Sequence, residues 1–165
     1  MPTKTVQLRC MSPAYMDADK SSKDGVTPLY YASQEGQADI CRILLSTQEP
    51  GAQRIRNSRG AARPGVNSPG TPLHCVSTQG QADIFRMLSD HRADAGKAGK
   101  NGFTPLACAS NKGQADICRM LLDRRADDDK ADRGGFTPPR RASAAGHADI
   151  CRMLSDHRAD ADRAS

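Results

Sequence analysis

Aromatic residues are scarce in this sequence: Phe, Trp and Tyr make up 4% of its 165 residues, and Trp is absent. That is little material for one large globular core. Long apolar runs are missing as well. The first ten residues lack the apolar segment of a signal peptide, and no later stretch approaches the roughly 20 apolar residues of a membrane span. We therefore expect a cytoplasmic or nuclear protein with no membrane partner.

Motifs for catalysis and metal binding are also missing. No CxxC pair occurs, no His and Cys spacing repeats as in a zinc module, and no glycine-rich phosphate loop is present. The serines that could act as nucleophiles stand at one repeated position, where a small side chain permits close packing: Ser33, Ser77, Ser110 and Ser143. We expect no enzyme activity, no metal and no cofactor.

What the sequence does contain is a repeat. The dipeptide Thr-Pro recurs with a Gly nine residues after the Thr and an Asp three residues further on. The four threonines are Thr27, Thr71, Thr104 and Thr137, and they are spaced by 44, 33 and 33 residues. A fixed period of this size indicates a solenoid, in which each unit buries a small apolar face against its neighbours.

Each unit predicts two short helices. Thr104 can cap a helix by accepting backbone amides, and Pro105 loses no hydrogen bond at the first helical position. Gly113 ends that helix, and Asp116 lies near the positive end of a second helix with an apolar stripe of Ile, Cys, Met and Leu. A polar, Gly-bearing segment then leads to the next Thr-Pro, which predicts a projecting turn.

These units resemble the ankyrin repeat, which has a 33-residue period and a Thr-Pro-Leu-His-x-Ala pattern. The closest local match is Thr-Pro-Leu-His at 71–74, and the second-helix pattern also fits at 146–154. The resemblance covers about residues 17–162. It implies an all-α ankyrin-repeat solenoid of stacked helix-turn-helix units with projecting β-turns, which binds proteins through its turn tips and concave first-helix face.

The period divides the chain into units. We predict a single ankyrin-repeat domain at 17–162, preceded by a leader or the remnant of an earlier unit at 1–16. Four units lie near 22–52, 67–95, 99–128 and 132–162. The extra residues between the first and second units form an Arg-, Gly- and Pro-rich insertion loop at 48–66, where a plain loop and a loop on the binding side both fit.

Several positions depart from the family pattern. The family usually has a Gly after the second helix, and this chain has Arg there: Arg92, Arg125 and Arg158. A left-handed backbone at a residue other than Gly costs about 1 kcal/mol.

The fourth unit departs further. Pro139 replaces the Leu after Thr-Pro, and Arg140 and Arg141 follow it. This change predicts either a weak helix or a terminal cap with a less apolar outer face. Together with Ser143, the two arginines resemble a site for a basic-directed kinase, although Ser143 falls where the family packs an Ala and is expected to be inaccessible.

Cysteine positions argue against disulfides. Cys75 and Cys108 occupy one repeat position, and Cys118 and Cys151 occupy another. Equivalent positions in a helical stack lie roughly 10 Å apart, whereas a disulfide needs Cα atoms about 5.5 to 6 Å apart. We expect reduced, buried cysteines.

The net charge of +5 belongs mainly to segments outside the repeats. Residues 53–66 carry four Arg and no acid, and residues 1–16 carry a further charge of +2, so the repeats are nearly neutral. Each second helix has an Arg three residues after its Asp, at Arg42, Arg86, Arg119 and Arg152. That i, i+3 spacing predicts ion pairs on a solvated face rather than a stripe that binds phosphate.

Candidate partner-binding residues lie on the turn tips and the first helices. Phe103 and Phe136 each precede a capping Thr. A ring exposed at this position would anchor a partner. The alternative is that each ring folds back on its own turn. The turn-tip candidates are Lys23, Asp24, Val26, Asn67, Ser68, Lys100, Asn101, Phe103, Arg133 and Phe136. The first-helix candidates are Tyr31, Gln34, Thr78 and Asn111.

These observations predict a monomeric, non-enzymatic protein–protein interaction module. One alternative is that the basic insertion loop binds nucleic acid or an acidic partner. A second is that the chain is a regulatory fragment of a larger enzyme or channel. A third is a decaying array of low stability.

Overall fold

A computed structural model of the chain describes residues 27–46, 70–99 and 101–163. Within these ranges the chain forms four pairs of α-helices and no strand. The first helices of the pairs are α1 (Pro28–Gln34), α3 (Pro72–Gln79), α5 (Pro105–Lys112) and α7 (Pro138–Ala144). The second helices are α2 (Ala38–Ser46), α4 (Ala82–Asp90), α6 (Ala115–Asp123) and α8 (Ala148–Arg163). The predicted all-α class is confirmed.

Every first helix begins with Pro after an extended Thr. Thr27 and Thr104 accept hydrogen bonds from the amides of Tyr30 and Ala107, over 3.2 and 3.1 Å. These side chains satisfy amides that have no partner within the helix. In the other two units the Thr side chain makes no such bond, so the predicted cap is confirmed in two units of four.

The glycine after a first helix permits a sharp turn into the second. Gly113 has a φ of 75°, in the left-handed region. A Cβ at this position would lie 2.7 Å from Cε1 of His147 in the next unit. The Gly is therefore required both by the backbone conformation and by the close packing of adjacent units.

The helices stack in two layers around one core. α1, α3, α5 and α7 pack side by side in that order, and α2, α4, α6 and α8 form the second layer in the same order. Between the layers the first helices bury leucines and the second helices bury isoleucines: Leu29, Leu73, Leu106, Ile84, Ile117 and Ile150. Each unit therefore completes its core with its neighbours, as a solenoid requires.

The fourth unit keeps this architecture despite its prolines. Pro138 and Pro139 are the first two residues of α7, and the amide of Arg141 is the first in the helix to bond back, to the carbonyl of Thr137 over 2.9 Å. The prolines cost no hydrogen bond, because the amides of a first helical turn lack helical acceptors. Ala142 is fully buried in the core.

One nine-residue sequence, Met-Leu-Ser-Asp-His-Arg-Ala-Asp-Ala, occurs at 87–95 and at 153–161 with two conformations. In the first copy the helix ends at Asp90, and Arg92 has a φ of 60°. In the second copy the helix continues to Arg163. The same residues therefore end one helix and extend another.

The neighbouring unit accounts for this difference. The guanidinium group of Arg124 donates to the carbonyl of Ser89 over 3.0 Å and to the carboxylate of Asp90 over 3.1 Å, at the end of α4. The described residues contain no unit beyond α8 that supplies such a group. The predicted left-handed conformation is confirmed for Arg92 and for Arg125, which has a φ of 57°, but it was wrong for Arg158, which lies within α8.

Candidate partner-binding surface

The turn before α7 is built around the buried side chain of Asp132. Its Oδ1 accepts hydrogen bonds from the amides of Gly134 over 2.7 Å and Phe136 over 3.1 Å. Its Oδ2 accepts from Nε of Arg141 over 2.8 Å and makes a second contact with the same guanidinium group. The carboxylate therefore ties the turn to the helix that follows it.

Charge pairing keeps Asp132 ionised. Burial by itself would raise the pKa of this carboxyl, but the Arg141 side chain and the amides of Phe136 and Gly134 outweigh burial, and the pKa is lowered. The ion pair with Arg141 is partly shielded from water, so salt screens it less than an exposed pair.

Backbone hydrogen bonds join the third turn, residues 99–103 before α5, to the fourth turn, residues 132–136 before α7. The amide of Arg133 donates to the carbonyl of Asn101 over 3.1 Å, and the amide of Asp132 donates to the carbonyl of Phe136 over 3.0 Å. In the third turn, the amide of Gly99 donates to the carbonyl of Phe103 over 2.8 Å. The two turn tips are thus held in a fixed relation.

The rings of these two turns stack on arginines of α7. The guanidinium carbon of Arg141 lies 4.5 Å from the ring centres of both Phe103 and Phe136, and that of Arg140 lies 4.3 Å from Phe136. These distances are typical of cation–π contacts. We call these four residues the aromatic–arginine cluster. Both rings are half-buried, in contact with α7.

This surface carries positive charge. Arg133 and Arg140 are exposed, and no ion pair among the described residues engages either of them. Asp132, the acid nearest to them in sequence, is buried and already paired with Arg141. The exposed cations are therefore available to an anionic group.

The first-helix candidates lie on successive units. Tyr31 is exposed on α1, with its ring edge-on to Tyr30 at 6.4 Å between centroids. The carbonyl of Gln34 accepts a hydrogen bond from Gln79 of α3 over 2.8 Å. Thr78 and Asn111 are half-buried on α3 and α5.

Six candidates and the insertion loop lie outside the described residues. The candidates are Lys23, Asp24, Val26, Asn67, Ser68 and Lys100. The cluster residues Arg140 and Arg141 and their partner Asp132 were not among the predicted site residues. The signal that was available is an Asp five residues before Thr137 and two Arg three and four residues after it.

Comparison with protein families agrees with this architecture. A family model described as ankyrin repeats in three copies matches residues 54–132 and 96–165, and a model described as a single ankyrin repeat matches residues 24–57. This chain belongs to the ankyrin-repeat family. Ankyrin repeats are in general protein–protein interaction modules, and proteins built from them are typically not enzymes. A comparison with curated proteins finds no match.

One ankyrin signature residue, His74, links α3 to the next turn. The hydroxyl of Thr71 lies 2.6 Å from its Nδ1, and its Nε2 lies 3.0 Å from the carbonyl of Phe103. Since a carbonyl only accepts, Nε2 carries the proton and Nδ1 accepts from the hydroxyl of Thr71. Burial lowers the pKa of His74 to about 4, so the ring is neutral.

The second-helix arginines of the ankyrin array are exposed, but the predicted ion pairs were wrong. In the described ranges no salt bridge joins Arg42, Arg86, Arg119 or Arg152 to the Asp three residues before it. An exposed pair gains little Coulomb energy in water and loses side-chain entropy. The Asp three residues before each of these Arg still offsets its charge on this face.

The described cysteines form no disulfide. The described cysteines are reduced: Cys41, Cys75, Cys108 and Cys118 are buried, and Cys151 is half-exposed. No group of three or more metal-binding side chains occurs in the part of the chain that the structure describes. None of the helices described combines the length and apolar character needed to cross a bilayer.

Proposed function

We propose that this ankyrin array binds another protein through the aromatic–arginine cluster and the adjoining first-helix face. The observation that supports this is the stacking of Arg141 on two half-exposed rings while the buried Asp132 holds its guanidinium group. Aromatic residues and Arg are enriched among the residues that dominate binding energy. A surface held by hydrogen bonds before binding also loses little conformational entropy.

The charges of this surface favour a partner segment with a carboxylate and an apolar side chain. The carboxylate would face Arg140 and Arg133, which are exposed and have no acidic partner in the described structure. The apolar side chain would cover the open parts of Phe103 and Phe136. Polar contacts at the rim would come from Asn101, Tyr31, Gln34, Thr78 and Asn111.

An affinity capture followed by mass spectrometry tests the proposal. Partners captured by the unchanged chain are compared with those captured by Phe136→Ala and by Arg140→Ala. Arg152→Ala is the matched control, because it removes an exposed Arg of α8 that makes no ion pair within the described residues. For each captured protein, the dissociation constant is then measured by calorimetry.

We expect the two cluster variants to weaken binding by about tenfold or more, as for residues at the centre of an interface, and the control to leave it unchanged. Circular dichroism establishes that the variants remain folded. A partner that binds all four proteins equally well would place the interface elsewhere.

The insertion loop supports a second candidate, electrostatic binding of nucleic acid or an acidic protein. Its residues 53–66 carry a charge of +4 with no acid. Such binding should weaken steeply as salt rises, and it should be lost when Arg54, Arg56, Arg59 and Arg63 are changed to Ala. Binding that depends on neither salt nor these arginines would eliminate this candidate.

A further inference from the structure

The serines at the repeated first-helix position differ in accessibility. Ser33, Ser77 and Ser110 are fully buried. Ser77 donates to the carbonyl of Leu73 over 2.7 Å, and Ser33 and Ser110 contact cysteine sulfurs of their own units. Ser143 in α7 is exposed instead, and no side-chain hydrogen bond engages it in the described structure. The predicted inaccessibility of Ser143 was therefore wrong.

Ser143 is exposed because no helix of the described residues covers it. α7 packs on α5 and on its own second helix, α8. The serine position that is buried in the first three units is therefore exposed in the fourth unit of the described structure.

This hydroxyl follows two arginines, in the order Arg140-Arg141-Ala142-Ser143. We propose that Ser143 is a phosphorylation site for an arginine-directed protein kinase that uses ATP. The Oγ of Ser143 forms a bond to the γ-phosphorus as the bond to the β-phosphate oxygen breaks. ADP leaves, and the hydroxyl proton passes to the catalytic carboxylate of the kinase.

The kinase gains access to the segment by local opening of α7. Arg140 and Ser143 are exposed in the closed helix, but Arg141 is bound to Asp132 and Ala142 is buried. α7 has seven residues and no side-chain cap from Thr137. So short a helix depends on its packing against α5 and α8, and such a segment can open locally without unfolding the rest of the array.

The phosphate group on Ser143 would have a charge partner within the same helix, Arg140. Residues three apart face each other on a helix, so a phosphate on Ser143 lies beside Arg140. A phosphate dianion forms strong charge-assisted hydrogen bonds with Arg. This pairing would draw the guanidinium group of Arg140 away from the ring of Phe136, over which it lies at 4.3 Å.

The test uses the full chain, ATP and the purified catalytic domain of an arginine-directed Ser/Thr kinase. Phosphorylated positions are mapped by mass spectrometry, and initial rates are measured for Ser143. A synthetic peptide of residues 137–147 serves as the unfolded reference substrate. Ser58, which follows Arg54 and Arg56, lies outside the described residues and is mapped separately.

Four variants locate the site and its mode of access. Ser143→Ala should remove the signal assigned to this position. Arg140→Ala should lower the rate about tenfold to one-hundredfold, the loss expected for a charged hydrogen-bonding group. Arg152→Ala should leave the rate unchanged. Asp132→Asn should raise it at least about fivefold, because releasing Arg141 increases the population of open α7.

Two results would overturn the proposal. One is phosphorylation of the peptide without phosphorylation of Ser143 in the folded chain. The other is failure of the kinase to modify either substrate. An unchanged rate in Asp132→Asn would overturn the requirement for opening of α7. None of these readouts depends on the identity of a binding partner, so they are independent of the proposed function.

Discussion

At the scale of single residues, two buried polar side chains connect adjacent units. His74 bridges Thr71 and the carbonyl of Phe103, and Asp132 bridges the fourth turn and Arg141. Both are fully hydrogen-bonded, which is the condition under which a buried polar group does not destabilise a fold. Both also titrate differently in the folded and unfolded chain, so their contributions depend on pH.

His74 should make the fold less stable as the pH falls below neutrality. Its pKa is lowered from 6.5 to about 4 in the folded chain, so the unfolded chain binds a proton first as the pH falls. The contribution of neutral His74 to the free energy of unfolding is fully present above the pKa of the unfolded chain. It declines as the pH falls from 6.5 to about 4. The decline should reach about 3 kcal/mol by linkage.

Urea unfolding at a series of pH values measures this effect. His74→Gln is the comparison, since it cannot titrate, and its stability should vary less over the same interval. If the two proteins showed equal slopes, protonation of His74 would not be the cause.

Asp132→Asn should destabilise the fourth unit by about 1 to 3 kcal/mol, because it removes a charge partner of the half-buried Arg141. Urea unfolding measures this decrease in the free energy of unfolding. A double-mutant cycle with Arg141→Met separates the pair from other effects, and a coupling energy near zero would show that the ion pair contributes nothing.

At the scale of helices, α4 and α8 end at different places although residues 87–95 and 153–161 are identical. In α4 the Arg after the helix adopts a left-handed backbone, and Arg124 of the next unit binds the helix end. In α8 the corresponding Arg158 is helical and contacts Asp129 over 2.8 Å. Replacing Arg92 or Arg158 by Gly should therefore change the stability of the protein in opposite directions.

Arg92→Gly should stabilise the protein by about 0.5 to 1 kcal/mol, because Gly adopts positive φ without strain. Arg158→Gly should destabilise it by about 1 kcal/mol, the usual cost of Gly within a helix. Thermal unfolding of the two variants and the unchanged chain compares them directly. Shifts of the same sign would contradict the difference between the two helix ends.

At the scale of the whole molecule, one core runs through all four units. The repeat period, the helix starts and the apolar stripes could be predicted from sequence because each depends on contacts within one unit. The arrangement of Arg141 on Phe103 and Phe136 could not, since it joins residues of two units. The exposure of Ser143 could not be predicted either, because burial at that position depends on contacts between units and not on the pattern within one unit.

Cysteine reactivity should report this organisation. Burial raises the pKa of Cys108 to about 12 and that of Cys118 to about 11, so both remain protonated thiols at neutral pH. Cys151 is half-exposed. Thiolate is the reactive form of cysteine, and we expect Cys151 to be alkylated before the other cysteines of the described residues.

Alkylation with iodoacetamide at rising urea concentrations, followed by peptide mapping, gives the order in which the cysteines react. Cys108 and Cys118 should react only as the array unfolds. Early labelling of either, before Cys151, would contradict a core shared among the units.

The sequence by itself determined the repeat, the pairing of helices and the ankyrin family, because Thr-Pro starts, glycine turns and apolar spacing act within a few residues. The tertiary structure alone decided where helices α4 and α8 end and which side chains Arg141 contacts. The sequence Met-Leu-Ser-Asp-His-Arg-Ala-Asp-Ala has the same local preferences in both of its positions. In the first copy Arg124 of the next unit binds the end of α4 and the chain turns, whereas the second copy continues as a helix without such a contact among the described residues.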